Sequence, residues 1–291
     1  MKYLTKSFLV LALITGASVS AGAVSGLKLL TIDPGARPAG MGGAFASVVA
    51  DPYSAAYNPA AAYRIGPLAA SVGYNSYWQN VSIESGYLAF EKKKITYMTG
   101  VQYAAVNDIQ GRVAPTSDYL PFDAHDIAIK TGASFKIDKD MTFGFMLGWL
   151  FEKIEQYRGS AFSADLGLLA TPLERLNVGL AVLNLGSKMK IREESYKLPT
   201  TFRAGASYQY KNFLPALDFV VQDDKLHAHI GGEYNITNGF FLRAGYRTGY
   251  DLTGFSAGAG FSKSNLRIDY AFVPNKNDFN DSHLINLTFQ L

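Results

Sequence analysis

Thr142-Phe143-Gly144-Phe145-Met146-Leu147-Gly148-Trp149-Leu150-Phe151 sets Phe143, Phe145, Leu147, Trp149 and Phe151 against Thr142, Gly144, Met146 and Gly148. Successive side chains of a strand point to opposite sides, so a period of two places every large apolar group of this stretch on one face. The opposite face is built of small or polar residues. A membrane-spanning barrel needs this division, with lipid on the outside and a polar lumen within.

The pattern repeats from Gly66 almost to the last residue. In Ile127–Lys136, Ile127, Ile129, Thr131, Ala133 and Phe135 oppose Ala128, Lys130, Gly132, Ser134 and Lys136. Phe202, Ala204, Ala206 and Tyr208 oppose Arg203, Gly205, Ser207 and Gln209, and Leu266, Ile268, Tyr270 and Phe272 oppose Arg267 and Asp269. Segments of about ten residues, the length a tilted strand needs to cross a bilayer, start near Leu68, Val81, Lys94, His125, Met141, Ser160, Arg175, Thr200, Leu214, Leu226, Phe240, Thr253, Asn265 and His283. The reading is an all-β, antiparallel transmembrane β-barrel of about 14 strands, an even number that places both termini on the periplasmic side. The apolar alternation of Ile285, Leu287, Phe289 and Leu291 closes it.

Connection lengths support the count. The connections after even strands are short: Glu91–Lys93, Asp138–Asp140, Thr171–Glu174, Lys211–Asn212, Thr237–Gly239 and Ser262–Ser264. The longest, Asn107–Ala124, Gly186–Pro199 and Pro274–Ser282, all follow odd strands, as periplasmic turns and extracellular loops do. At Thr237-Asn238-Gly239 a three-residue loop with Gly239 left-handed sets Ile236 opposite Phe240, Glu233 opposite Arg243 and His229 opposite Arg247. A two-residue turn would set Glu233 opposite Ala244 and move a charge to the apolar face.

Three domains follow. In residues 1–23, Lys2 and Lys6 precede the short apolar run Phe8–Ile14 and a small-x-small site at Ala21-Gly22-Ala23, the pattern of a cleaved signal peptide. Residues 24–65 are rich in Gly, Ala and Pro, without sustained alternation, and are expected to fill the lumen as a hatch, with helical turns at Met41–Val49 and Ser54–Tyr63. Residues 66–291 are the barrel.

Composition agrees. Hydrophobic residues make 48% and charged residues 18%, with 28 Gly, 18 Tyr and 19 Phe. The mean hydropathy of +0.03 averages an apolar exterior with a polar interior. A net charge of +3 is too small for a nucleic-acid surface. The absence of Cys removes disulfides, thiol nucleophiles, thiolate metal sites and lipidation at an N-terminal Cys.

Polar strand faces collect Arg203, Asp218, His227, His229, Glu233, Arg243, Arg247, Arg267 and Asp269. A mutually paired interior is preferred over a ligand cradle. His227-x-His229 shares one strand face as two metal ligands would, but Arg243 and Arg247 occupy the neighbouring strand, so no metal is assigned. Ser, His and Asp residues are scattered without an elbow or triad spacing, so no catalytic residue and no enzyme activity is assigned. Gly40-Met41-Gly42-Gly43 and Gly258-Ala259-Gly260 sit in no βαβ context, so no nucleotide or other cofactor is implied.

Asp33-Pro34-Gly35-Ala36-Arg37, Gly40-Met41-Gly42-Gly43-Ala44-Phe45, Asp51-Pro52 and Tyr57-Asn58-Pro59-Ala60 resemble the N-terminal hatch of the PorV/PorQ family, within the wider FadL-like outer-membrane barrels. Arg243-Ala244-Gly245-Tyr246-Arg247, Gly258-Ala259-Gly260-Phe261 and Ile268-Asp269-Tyr270-Ala271-Phe272 are similar to that family as well. The resemblance implies a 14-stranded outer-membrane barrel with a hatch whose motif residues are Gly35, Arg37, Gly40, Gly42, Gly43, Asn58 and Pro59. It implies a non-enzymatic role in protein export or surface attachment of the type IX kind, with secreted cargo or secretion components as partners. The alternative it carries is FadL-like uptake of hydrophobic small molecules. Outer-membrane lipid is the partner on either reading. Arg37 is expected to pair with a lumen carboxylate such as Asp218 or Asp269, and Asn58-Pro59 to start a short helix or turn.

Overall fold

The computed structural model describes residues 26–77, 81–111, 120–237, 239–276 and 280–291; the expected signal peptide lies outside them. The barrel strands are β1 (Leu68–Ser76), β2 (Ser82–Lys92), β3 (Ile95–Gly111), β4 (Leu120–Asp138), β5 (Met141–Ile154), β6 (Tyr157–Leu173) and β7 (Leu176–Gly186). After a small hairpin, β8 (Met189–Ile191) and β9 (Glu194–Tyr196), come β10 (Thr201–Tyr208), β11 (Phe213–Gln222), β12 (Lys225–Thr237), β13 (Phe240–Arg247), β14 (Phe255–Lys263), β15 (Leu266–Val273) and β16 (Ser282–Gln290). Fourteen strands form one closed antiparallel barrel, β16 pairing with β1 from Ala69↔Gln290 to Ser76↔His283. Closure leaves no unpaired edge, the condition for strands in hydrocarbon.

Alternation settles which face is out. Thr142, Gly144, Met146, Gly148 and Leu150 are buried inward, whereas Leu147 and Trp149 face out. Phe162 is 68% exposed, Val72 61% and Leu147 59%. Side chains of this size, spread around the whole circumference, form an apolar band far larger than a water-facing surface carries. No helix among the described residues is long and apolar enough to cross a membrane.

Twelve expected strand starts fall within two residues of those observed. β4 and β6 begin earlier, at Leu120 and Tyr157 rather than His125 and Ser160. Asn107–Ala124 is therefore largely hairpin: Ile109↔Phe122 and Gly111↔Leu120 continue the ladder past an irregularity after Val106, and residues 112–119 lie outside the described ones. β3 to β6 run to 14–19 residues, beyond the ~9–11 that span a bilayer. They form a tall wall opposite the shorter β13–β16. Two connections at the long-loop end are tight turns, Glu155-Gln156 and Asp223-Asp224, the latter with both residues left-handed.

At the β12–β13 turn, Glu233↔Arg243 and His229↔Arg247 pair as expected, but Thr237, not Ile236, meets Phe240. An irregularity between Asn235 and Thr237 absorbs one residue, so the register of the charges is kept while the turn tightens.

The N-terminal segment lies against the inner face. It carries helix α1 (Ala36–Gly40) and three 3-10 turns, Lys28–Thr31, Pro52–Ala56 and Pro59–Ala62, the last two falling on the stretch Ser54–Tyr63 where turns were expected. Met41–Val49 is not helical, because Gly42 and Gly43 are left-handed there. Asn58 starts the last turn, its side chain accepting from the Ala60 N–H. The segment runs the height of the barrel: Gly26 donates to the Lys197 carbonyl at the long-loop end, and the Ile65 carbonyl accepts from Gln290 beside the C-terminus. The expectation that both termini share one side thus holds for β1 and Leu291, but the first described residue is at the other end.

Candidate functional site: the lumen network and the mouth above it

Six side chains, five of them buried and Arg267 half-buried, close a ring of alternating charge. Arg37 of α1 makes two parallel bonds to Glu233 on β12, both 2.8 Å, and a third to Asp51 at 3.2 Å. Glu233 also accepts from Arg243 on β13 at 2.6 Å; Arg243 lies 2.8 Å from Asp269 on β15; Asp269 accepts from Arg267 at 2.8 Å. Arg267 returns to Asp51. Three arginines and three carboxylates thus balance, with Arg37 and Asp51 from the N-terminal segment and four members from the wall. Forked guanidinium–carboxylate geometry suits such a ring, since each arginine bridges two acids.

The expected partners of Arg37 need correction. Asp218 instead accepts the N–H groups of Phe45 and Ala46 at 2.9 and 2.8 Å and lies 3.5 Å from Arg203. Asp269 is held by Arg243 and Arg267. Register explains this: Glu233 faces Arg243 directly, which places its carboxylate under α1.

A second group lies toward the long-loop end. Arg247 pairs with Asp33, which also accepts from the Tyr57 hydroxyl. Burial opposes ionisation of Asp33, but the Arg247 charge and the Tyr57 hydrogen bond outweigh it and hold the carboxyl below its ordinary value. Asp51 is likewise buried, yet Arg267 and Arg37 hold it low. Arg203 covers the Tyr57 ring at 4.9 Å and donates to the Gly43 carbonyl. His229 bonds the Tyr250 hydroxyl at 2.9 Å, and His227 stacks on the Tyr250 ring with centroids 4.0 Å apart. Tyr250 therefore touches both histidines, His227 on its ring face and His229 edge-on at its hydroxyl. Among the described residues no group of three His, Cys, Asp or Glu is placed to hold a metal.

The segment's backbone rests directly on the wall. A Cβ on Gly245 would lie 2.1 Å from the Gly42 nitrogen, one on Gly231 2.2 Å from the Met41 carbonyl oxygen, and one on Gly144 2.4 Å from the Ala60 nitrogen. These glycines on the polar strand faces admit a second backbone where any side chain would push it away. Tyr53 adds an anchor, bonding Ser85 at 3.0 Å and accepting from Asn286. Its burial raises the phenol to about 12.

Of the residues singled out from sequence, Arg37, Glu233, Arg243, Arg267 and Asp269 meet in the ring. Arg203, Asp218, His229 and Arg247 meet in the neighbouring groups, and His227 touches them only through Tyr250. Gly40, Gly42 and Gly43 lie against β12–β14, Gly35 against Tyr53, and Asn58 bonds the Ala46 and Leu168 carbonyls. Sequence reasoning missed Asp33, Asp51, Tyr53, Tyr57 and the buried Lys130–Asp165 pair, 2.6 Å apart. Asp51-Pro52 carried a usable signal, an acidic residue capping a Pro-initiated turn.

Two cavities border these groups. A small one of about 40 Å³, room for about one or two waters, is lined by Arg203, Lys130, Gln102 and Asn184 among others. A wider one of about 280 Å³ opens at the long-loop end above α1, between β1, β16 and the 248–254 loop. Asp33, Arg247 and Tyr250 belong to both linings and form the partition. Below it the lumen is filled by the segment.

No protein-family model matches this chain. No curated protein matches it either. Solved structures do: a monoaromatic hydrocarbon channel, CymD, superposes with a TM-score of 0.68 at 12% identity, covering 92% of this chain and 99% of that one. The Pseudomonas putida toluene transporter TodX gives 0.63 at 12% identity, covering 93% and 98%. A Pseudomonas aeruginosa FadL homologue gives 0.63 at 11% identity, covering 93% and 100%. At these identities the likeness is one of fold.

Proposed function

We propose that this protein is an outer-membrane uptake channel for hydrophobic small molecules, with residues 24–65 as its hatch and the short turns facing the periplasm. The observation that carries this reading is the mouth cavity: about 280 Å³, open at the long-loop end, and walled in part by Ile32, Leu252, Val273 and Leu284, with Asp33 and Arg247 at its polar floor. A cavity of that size at a barrel mouth, with apolar walls and a few polar groups, fits a small organic molecule. The names of the structural neighbours point the same way: one is a monoaromatic hydrocarbon channel and another a toluene transporter. The export role that the hatch motifs suggested has no counterpart in those names.

Passage beyond the mouth requires the hatch to shift or the wall beside it to open, because ring and glycine contacts close the direct path. The test is uptake of labelled ethylbenzene by cells with and without the protein in their outer membrane. Several-fold faster entry with the protein is expected. Unchanged entry, combined with specific capture of a secreted protein at the cell surface, would replace this reading with export.

A further inference from the structure

We propose that the tip of the β2–β3 hairpin, Lys92-Lys93-Lys94, holds the phosphate of an anionic phospholipid in the periplasmic leaflet of the outer membrane, with that lipid's acyl chains against Phe90 and Tyr97. This rests on the orientation given above, short turns facing the periplasm, and not on what the mouth admits. Lys92 pairs with Ile95, so Lys93 and Lys94 alone make the turn. Both are left-handed, with φ of 53° and 65°. Two-residue turns of this hand favour Asn-Gly, because a Cβ is unfavourable there. Lysine at both positions therefore costs local stability, and its charge serves something outside the hairpin.

The hairpin also sorts its charges. Lys92 follows Leu88 and Phe90 on the lipid-facing side, whereas Glu91, the carboxylate nearest the tip, follows Tyr87 and Ala89 on the lumen side. Among the described residues the three lysines have no ion-pair partner, while Lys139 and Arg175, at other turns of this end, have their neighbours Asp140 and Glu174 at 3.6 Å. Basic tips are not a general feature of tight turns in this chain: those at the long-loop end are Glu155-Gln156 and Asp223-Asp224.

What lies beside the lysines identifies the occupant. Phe90 and Tyr97 pair directly across the hairpin and stack with centroids 5.4 Å apart on the exposed face, and Phe135, paired with Ile95, continues this apolar shelf. An anion that fits both lysines and shelf carries an apolar body on one side, which describes a phospholipid and not a soluble phosphate. Ammonium groups hold phosphate oxygens by charge-assisted hydrogen bonds, and basic residues at an anionic membrane surface add their attraction one by one. A zwitterionic head group has no net charge to attract, so the site favours the anionic lipid.

The experiment offers the protein, purified in detergent from outer membranes, palmitoyl-oleoyl phosphatidylglycerol or the phosphatidylcholine of the same chains, and reads retained lipid by native mass spectrometry. Phosphatidylglycerol is expected to be held several-fold more tightly. Lys92→Gln, Lys93→Asn and Lys94→Gly should each weaken it about two- to fivefold, with phosphatidylcholine unchanged. The last two together create the favoured turn, so binding lost in that double variant is not lost through misfolding. Lys139→Gln should change nothing. Because the chain has no Cys, Lys93→Cys supplies a single thiol, and a polymer-linked maleimide too large for porins should reach it in lysed cells and not in intact ones. Equal retention of the two lipids, or undiminished phosphatidylglycerol retention in the variants, overturns the lipid site and leaves the orientation standing. Labelling of intact cells overturns the orientation and the choice of leaflet with it.

Discussion

Arg37 shows how one side chain ties two parts of the molecule together. Its guanidinium is buried between Glu233 of the wall and Asp51 of its own segment, so replacing it takes one of two arginines from each of these buried carboxylates and leaves the ring with one negative charge in excess. Breaking one partner out of a buried pair costs on the order of 3–5 kcal/mol. Arg37→Met is therefore expected to loosen residues 26–65 by that order while the barrel stays closed. Limited proteolysis should cut the segment in the variant and spare it in the parent, with unchanged heat-modifiability on gels. Arg37→Lys restores the charge without the fork and should fall between the two. Gly245 makes the same point with no charge involved. Its Cβ would strike the Gly42 backbone, whereas one on Gly86 meets nothing within 4 Å. Gly245→Ala is expected to expose the segment to protease and Gly86→Ala to leave it protected. Equal behaviour of these two variants would contradict the close docking.

At the scale of elements, the long alternating strands were readable because lipid and lumen impose opposite demands on alternate residues. What was not readable is equally physical. β8 and β9, of three residues each, are too short to show a period, although Met189 joins Leu27, Leu29, Leu150 and Leu198 in an apolar cluster under the tall wall. The helical turns expected over Ser54–Tyr63 are present, but the one expected over Met41–Val49 is absent, because the backbone there follows the wall rather than its own propensities. The partner of Arg37 lies 196 residues away, a contact that no local pattern encodes. The charges on β12 and β13 were placed correctly because their register depends on a single turn. The segment also titrates as an element. Asp33 and Asp51 both have carboxyl groups held below their ordinary 3.8 in the folded state. A depressed folded pKa means these groups stabilise docking fully above the ordinary value and lose that contribution as pH falls through the lower folded value. The contribution of Asp33 and Asp51 to docking is therefore expected to be flat from neutral pH down to about 4 and to weaken below it. Pepsin cleavage of the segment as a function of pH checks this. Release beginning near pH 6 would point to other groups.

For the whole molecule, the question is what the wall does without its filling. Ring closure, continuous strand pairing and the apolar exterior all belong to residues 68–290, so a chain lacking residues 26–65 retains everything that holds the barrel in lipid. Wall charges that the segment now buries would be hydrated by an open lumen, which removes the penalty that makes Arg37→Met costly in the filled barrel. At mid-lumen the wall carries Arg203, Arg243, Arg247 and Arg267 against Asp218, Glu233 and Asp269, and Arg247 has lost Asp33. One cation is then unmatched. A ring of fixed charge lining a pore sets which ions enter, so the deletion is expected to convert a protein that is silent in planar bilayers into a steadily conducting pore with modest anion preference. The reversal potential in a salt gradient reads that preference directly. Arg247→Gln in the deleted chain should abolish it while leaving conductance of similar size. A deletion that folds and inserts but does not conduct would mean that the wall collapses or another segment fills the space. Cation preference would mean that the arginines do not line the path.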